Sequence, residues 1–506
     1  MKKLLSLTIL IFIVSTTVKS QDITDALRYS LNQNIGNARY AGMGGAMNAL
    51  GGNLSAMESN PAGGAVFLNS YANFSLALNN SKNTSHYNGT TSKNSFNNFE
   101  FNQAGGVFVL HNENSASLFK KLSIGALFSS TQDYDRETYV AGTGKNTIAD
   151  YFLNHAQGMP LDLLELQAGE TINGLYRYLG ENYGSGAQTA FLGYQAYLFD
   201  PADPNDLGNT LYLSNVSGNA FQHEYLHHTS GGQSKFTINL SAQLGTNYYV
   251  GMNVNTHTID FRQRRMLLEN NSHPNSFIRA IGYQDYLNVI GNGVSFQFGG
   301  IARYDNLRIA INYDTPVWYL ISEETSQSLE SIRIENDRQM TTVINPNVIN
   351  VYEDYRLRTP GKVGVGLAYV FNQSGLISLD FSLRDYGNLK YSPTDNSYFK
   401  EVNNTINNSL TTSSTVKLGG EYRWNIMSFR GGLLFEGSPY KDKSIMDHRY
   451  GLSLGTGMSF SSFTMDFAYA YSQQENNFRL FPSGFSEPVN STAVWNNFIV
   501  SIGFEF

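Results

Sequence analysis

The sequence predicts an all-β protein, a 14-stranded antiparallel outer-membrane β-barrel, on three observations. The 506 residues include 32 Tyr, 32 Phe and 47 Gly but only 15% charged residues, a composition that favours strands and turns over helices. Large and small residues alternate with period two, as in "YGLSLGTGMSF", where Tyr450, Leu452, Leu454, Met458 and Phe460 share one face. Finally, connections sort by length, short ones alternating with long polar ones. Such sorting is expected of a barrel with tight turns on one rim and long loops on the other.

The N-terminus comes first. Lys2 and Lys3 precede the apolar run from Leu4 to Val14, and Val18-Lys19-Ser20 offers a cleavage site before Gln21, so residues 1–20 are expected to be a signal peptide. The run is too short to span a membrane comfortably. Losing Lys2, Lys3 and Lys19 takes the basic count from 34 to 31 against 41 acids, a net charge of −10, which argues against nucleic acid as a partner. With Cys 0, disulfides, thiolate metal sites and cysteine nucleophiles are excluded.

Candidate strands begin near positions 72, 98, 121, 233, 247, 293, 306, 355, 375, 413, 428, 447, 463 and 493. Short connections fall at Gly245 to Asn247, Asp305-Asn306, Asn372 to Gly375, Asn425 to Met427 and Ser461-Ser462, with His111 to Lys120 somewhat longer. Long ones are expected at Asn80 to Asn97, Gln132 to Gln233, Arg262 to Asn292, Ser322 to Asp354, Gly387 to Thr412, Gly437 to Met446 and Gln473 to Thr492. An even strand count returns both ends of the barrel to one rim. The last strand alternates Phe498, Val500, Ile502, Phe504 and Phe506. A terminal aromatic of this kind resembles the signal that bacterial barrel-assembly machinery recognises, and outer-membrane lipid is the other partner a barrel implies.

Before the first strand lies "RYAGMGGAMNALGGNLSAMESNPAG", dense in small residues from Ala41 to Gly52. Small residues are what a segment threaded close to strand backbones needs. Pro61 would stiffen the turn and Asn60 bond local backbone. This stretch resembles the N-terminal plug of FadL-type long-chain fatty acid transporters of the outer membrane, including their toluene-transporter relatives. The match is strongest at Asn60, Pro61, Ala62 and Gly63, where that family carries an Asn-Pro-Ala motif. The branch resembled is of Bacteroidetes type.

The resemblance implies residues 21–70 as a hatch inside the lumen, a barrel over 71–506, and export to the Gram-negative outer membrane. It also implies a function without covalent chemistry or cofactor: hydrophobic compounds, with long-chain fatty acids as the best guess, are captured by loops. They then pass into the barrel and leave sideways through a gap at a kinked strand. In the family the gap lies at the third strand; here Gly125 marks strand three and Gly105-Gly106 strand two, and the sequence leaves the choice open.

The connection from Gln132 to Gln233 is far longer than a connector needs. Its apolar residues recur at spacings of three and four, which suggests short amphipathic helices over the barrel mouth. Leu161, Leu163, Leu164, Leu175, Phe191, Tyr194, Tyr197 and Leu198 would form either a self-packed cap or an apolar capture groove. Asp133, Asp135 and Glu137, like Arg262, Arg264 and Arg265, read as solvated rim charges.

"HEYLH" places His223, Glu224 and His227 in the H-E-x-x-H pattern of a zinc hydrolase. That chemistry needs a helix, whereas this stretch runs through Thr229 to Gly232 into a strand, so it reads as a chance match and no metal is expected. The same histidines, with His228, feed an alternative in which the barrel is a hemin-binding receptor. A general or structural barrel is the other alternative. A TonB-dependent transporter would need a larger plug and more strands.

Overall fold

The computed structural model describes residues 22–506 except 32, 34, 35, 115 and 373; the expected signal peptide lies outside the described residues. Fourteen antiparallel strands close a barrel. They are β1 Tyr71–Tyr87, β2 Thr90–His111, β3 Phe119–Asp133 with its continuation Arg136–Gly144, β4 Phe221–Leu244, β5 Tyr248–Asn271 and β6 Ile278–Tyr304. Next come β7 Leu307–Asp314 continuing as Trp318–Glu335, β8 Tyr355–Arg358 continuing as Lys362–Phe371, β9 Gly375–Asp385 and β10 Thr412–Trp424. The set ends with β11 Met427–Glu436, β12 Met446–Ser459, β13 Phe463–Phe478 and β14 Val489–Glu505. Closure is made by β1 on β14, from Tyr71↔Glu505 to His86↔Asn490.

The period-two pattern is the barrel wall. On β4, Phe236, Ile238 and Leu240 are exposed outward, while Lys235, Thr237, Asn239 and Ser241 are buried in the lumen. A wall facing lipid outside and polar groups inside leaves no unpaired backbone in the membrane. At the rim that also holds the start of β1 and the end of β14, turns are tight, and Asp305, Asn372 and Asn425 take positive φ of 51°, 53° and 51°, as short hairpins demand. β7 and β8 pause at the same level, around Pro316 and Pro360, where proline cannot donate to the ladder. Val317 and Thr359 bridge the pause, the Val317 N–H donating to Thr359 Oγ1 at 3.0 Å and the Thr359 N–H to the Val317 carbonyl at 3.0 Å.

At the opposite rim the strands run further than their sequence suggests, which corrects several expected connections. There is no long loop from Asn80 to Asn97: β1 and β2 continue to a two-residue turn at Asn88-Gly89, with φ of 46° and 84°. The link between β5 and β6 is only 272–277, and β7 turns back at Asn336-Asp337 into a rim strand, Arg338–Ile344. The longest connection is 145–220 rather than 132–233. The reason is physical: β6 has 27 residues, about 90 Å of strand, against an apolar band only about 25 Å tall. Above the bilayer both faces of a strand meet water, and the alternation that reveals it disappears.

The longest connection carries helices α4 Ala149–Ala156, α5 Ile172–Tyr183 and α6 Ser185–Gln195, which pack onto the barrel mouth. A fourth loop helix, Ser397–Ser409, caps the β9–β10 side.

Candidate functional site

The lumen is filled by the described part of residues 22–70 of the chain itself. Three short helices, α1 Ile23–Arg28, α2 Ala38–Gly42 and α3 Leu54–Ser59, are followed by a 3-10 turn, Pro61–Val66. Asn60 caps that turn: its Oδ1 accepts the Ala62 N–H at 3.1 Å, and Pro61 stands at the first helical position, where a missing N–H costs nothing. The Asn60 Nδ2 donates outward to the carbonyls of Asn48 (3.1 Å), Gly300 (3.3 Å) and Ile311 (3.4 Å). The wall answers with side-chain amides: Asn239 donates to the Pro61 carbonyl at 2.9 Å, Asn253 to that of Met57 at 3.0 Å, and Gln297 to that of Glu58 at 2.9 Å.

Close approach rests on paired glycines. A Cβ on Gly299 would overlap Asn60 Oδ1, and one on Gly251 would overlap the Pro61 backbone. Charge adds a second anchor. Glu421 on β10 accepts from Arg39 Nε and Nη2 (2.9 and 3.1 Å), Arg423 Nε (2.9 Å) and Arg430 Nε (2.7 Å), and Arg430 also donates to Asp466 at 2.6 Å.

Higher in the lumen α1 sits in an aromatic chamber. Tyr29 packs edge-on against Phe261, which also meets Tyr134, while Tyr355, Tyr391 and Phe399 close the far side. Tyr391 donates its hydroxyl to the Asp22 carbonyl at 2.9 Å. Burial, reinforced by Asp25, pushes the Asp22 carboxyl up to about 6.

One ladder of the wall, that between β2 and β3, stops partway up. The β2–β3 ladder runs from His111↔Lys121 to Gln103↔Ser129 and stops. Beyond that level β2 pairs only with β1, and β3 only with β4. Both edges are bulged at the break: the β1–β2 register skips Asn102, and the β3–β4 register skips Thr131. The N-terminal segment holds both bulges, since Gln33 donates its N–H to the Thr131 carbonyl at 3.0 Å and Asn102 Nδ2 donates to the Gly36 carbonyl. Above them the edges are joined by bonds between a side chain and the main chain, the Ala141 N–H to Ser92 Oγ at 3.1 Å and Asn94 Nδ2 to the Glu137 carbonyl, while Asn83 Nδ2 on β1 reaches Thr138 Oγ1 at 2.9 Å.

Two cavities share Gln33 and Asn497. One of about 230 Å³ lies between the N-terminal segment and strands β6 to β14, with Lys235 of β4, and one of about 30 Å³ lies at the seam. The larger is polar, with Lys362–Asp314 (2.7 Å), Arg449–Glu436 (3.0 Å) and Lys235–Glu58 (3.1 Å) pairs on its walls.

No family model and no curated protein matches the sequence. Solved structures do match. A FadL homologue from Pseudomonas aeruginosa superposes over 93% of this chain and 98% of its own, with a TM-score of 0.52 at 12% identity. The toluene transporter TodX of P. putida gives a TM-score of 0.50 at 13% identity over the same shares. The chain has the FadL-type fold. Within the FadL-type fold Asn60, Pro61, Ala62 and Gly63 form the buried turn just described, against β4 to β7.

Of the candidate kink positions, Gly105 and Gly106 lie on β2 within the paired stretch just below the bulges, and Gly125 lies on β3 against Met57. The break itself falls at Asn102 and Thr131, which sequence reasoning missed because a bulge made of ordinary polar residues leaves no composition signal. In the loop, Leu161, Leu164, Leu175, Phe191 and Leu198 are buried in one shared core, and Leu163 and Tyr194 pack against it. Tyr197 is exposed under the Arg333 guanidinium, 4.2 Å from its ring centre.

The H-E-x-x-H stretch is part of β4, so His223 and His227 face inward and Glu224 outward. Among the described residues no group of three metal-binding side chains converges. His223 contacts Glu269 (3.1 Å) and Tyr87 (3.1 Å), and His227 contacts Gln263 (3.0 Å). Glu269 in turn accepts the Ile148 N–H at 2.7 Å, tying the start of the loop to the barrel. Replacing His223 by Phe is expected to loosen that tie by about 1–3 kcal/mol, read as faster proteolysis within 145–220 of a barrel that stays heat-modifiable.

Proposed function

We propose that this barrel transports hydrophobic compounds across the outer membrane, with residues 22–70 as the hatch and the β2–β3 seam as the lateral exit. The observation that carries the reading is the double attachment at Gln33–Thr131 and Asn102–Gly36: moving the hatch breaks bonds on both edges of the break in the β2–β3 ladder. A sideways exit spares an apolar chain a passage through water, which costs about 0.8 kcal/mol per methylene.

Long-chain fatty acids fit the lumen as its ligand class. An aromatic chamber suits an acyl chain, once α1 gives way, and the polar cavity below it offers a carboxylate Arg384 and Lys417, beside Lys362 and Arg449 in their pairs with Asp314 and Glu436. Capture at the exposed loop residue Tyr197 would come first, and folding would depend on barrel-assembly machinery reading the strand that ends at Phe506. Of the histidines that a hemin receptor would offer, His223 and His227 are engaged with Glu269, Tyr87 and Gln263, and His228 packs edge-on against Phe96, so we favour no hemin role.

The test uses thiols, since the chain has Cys 0. Ser92→Cys on β2 with Ala141→Cys on the continuation of β3, oxidised or bridged by a short bismaleimide, joins the two seam edges. Uptake of labelled long-chain fatty acid should then fall to the level of cells lacking the barrel, and reduction of the disulfide should restore it. Full cross-linking with undiminished uptake would rule out the seam. Binding competition with toluene and hemin separates the ligand classes.

A further inference from the structure

The seam cavity carries two carboxylates that, among the described residues, no cation contacts directly. Glu100 on β2 and Asp133 at the end of β3 both accept from the same Asn79 Nδ2, at 2.9 and 3.1 Å, so these two carboxylate oxygens stand at most about 6 Å apart. Ser130 Oγ donates to Glu100, and Asn98 Nδ2 to Asp133 at 3.3 Å. Among the described residues no Lys, Arg or His nitrogen lies within 4.0 Å of either carboxylate. Arg136 lines the cavity beyond that distance. Two half-buried carboxylates held this close repel each other, and a cation between them would offset that.

A second observation is independent of the carboxylates. Gln132 lines the same cavity with 4% exposure, and its Oε1 has no hydrogen-bond partner; the Oδ1 of Asn79, 8% exposed, has none either. Orphaned amide oxygens are rare because burying them without a partner costs about 1–3 kcal/mol each.

We propose that the seam binds one divalent cation of the calcium class through Glu100, Asp133 and Gln132, with the Asn79 amide turned so that its Oδ1 rather than its Nδ2 faces the two carboxylates. The donors are all oxygen, the set a hard cation requires. Among the described residues no three His, Cys, Asp or Glu side chains converge, so two carboxylates are completed by amide oxygens and the Ser130 hydroxyl, a mixture that calcium accepts. Magnesium is disfavoured, because it keeps several waters and the cavity of about 30 Å³ has room for a single ion or water. Such an ion would staple β2 to β3 where the ladder is missing. The binding claim stands apart from transport; only its consequence for passage rests on the transport reading.

Terbium(III) is the probe, because Trp495 lines the cavity and can sensitise its luminescence. With the EDTA-stripped, detergent-purified barrel, excitation of tryptophan is expected to give saturable terbium emission that calcium displaces and equal magnesium does not. E100Q and D133N should each abolish it while remaining heat-modifiable. W495F should lose the emission yet keep a calcium-dependent rise in the unfolding midpoint. Failure of terbium and calcium to bind, or binding unchanged in E100Q and D133N, overturns the proposal and leaves the cavity to a water. These readouts need no substrate, so they fail or succeed independently of the uptake measured with the cross-linked seam.

Discussion

Glu421→Gln is expected to release the N-terminal segment from β10 at a cost of about 3–5 kcal/mol, the range for breaking a buried ion network by removing one partner. Glu421 is buried and accepts from three arginines, and one of them, Arg39, belongs to α2. A glutamine keeps the shape but offers one oxygen, and turns an N–H₂ toward the guanidinium groups. Arg39 and Arg430 are then left short of a counter-charge inside the lumen, and Asp466 can satisfy only the second. Arg39→Gln is the informative partner. It leaves Glu421 with Arg423 and Arg430, so it should cost less, and the double variant should cost less than the two singles together, as for residues in one network. The measurement is proteolysis of residues 22–70 in the detergent-solubilised barrel. Equal protection of Glu421→Gln and the unchanged protein would show that the glycine contacts, not the charges, dock the segment.

Gly299→Val is expected to displace the Asn60–Pro61 turn while the barrel still assembles. Valine suits a strand, but here the side chain enters the space of Asn60 Oδ1 and Pro61 Cδ. If the turn yields, the bonds from Asn239, Asn253 and Gln297 to the carbonyls of Pro61, Met57 and Glu58 weaken together, at about 1 kcal/mol each. Gly300→Val is the control: a Cβ there meets nothing nearer than 3.8 Å. Cells carrying Gly299→Val should admit small polar dyes that those carrying Gly300→Val exclude. Heat-modifiability should be the same in both. Equal exclusion would mean that the turn absorbs the clash without opening.

The candidate site was legible in the sequence only in part. Asn60-Pro61-Ala62-Gly63 stands out because proline and glycine narrow the backbone and mark a turn in any context. The partners that hold it do not stand out, since Asn239, Asn253 and Gln297 are three among many polar residues on alternating strands, and only closure aims them at one turn. Asp133 and Asp135, expected as solvated rim charges, line the seam cavity instead, because β3 continues upward inside the β1–β2 hairpin. The apolar loop residues are similar. Their helical spacing was visible, but their burial in one core depends on strand ends such as Tyr225, Leu267 and Tyr283 rising to meet them.

By itself the sequence determined the wall. Alternation of large apolar and small or polar residues assigns one face of each strand to lipid and the other to the lumen, and tight turns with Asp305, Asn372 and Asn425 set the lower rim. These are local properties, carried by neighbours in the chain. The break in the β2–β3 ladder, its attachment to Gln33 and Gly36, and the convergence of Glu100 with Asp133 were decided by the tertiary structure alone. Each depends on the register between segments far apart in the chain, and register is fixed only when the sheet closes around what fills it.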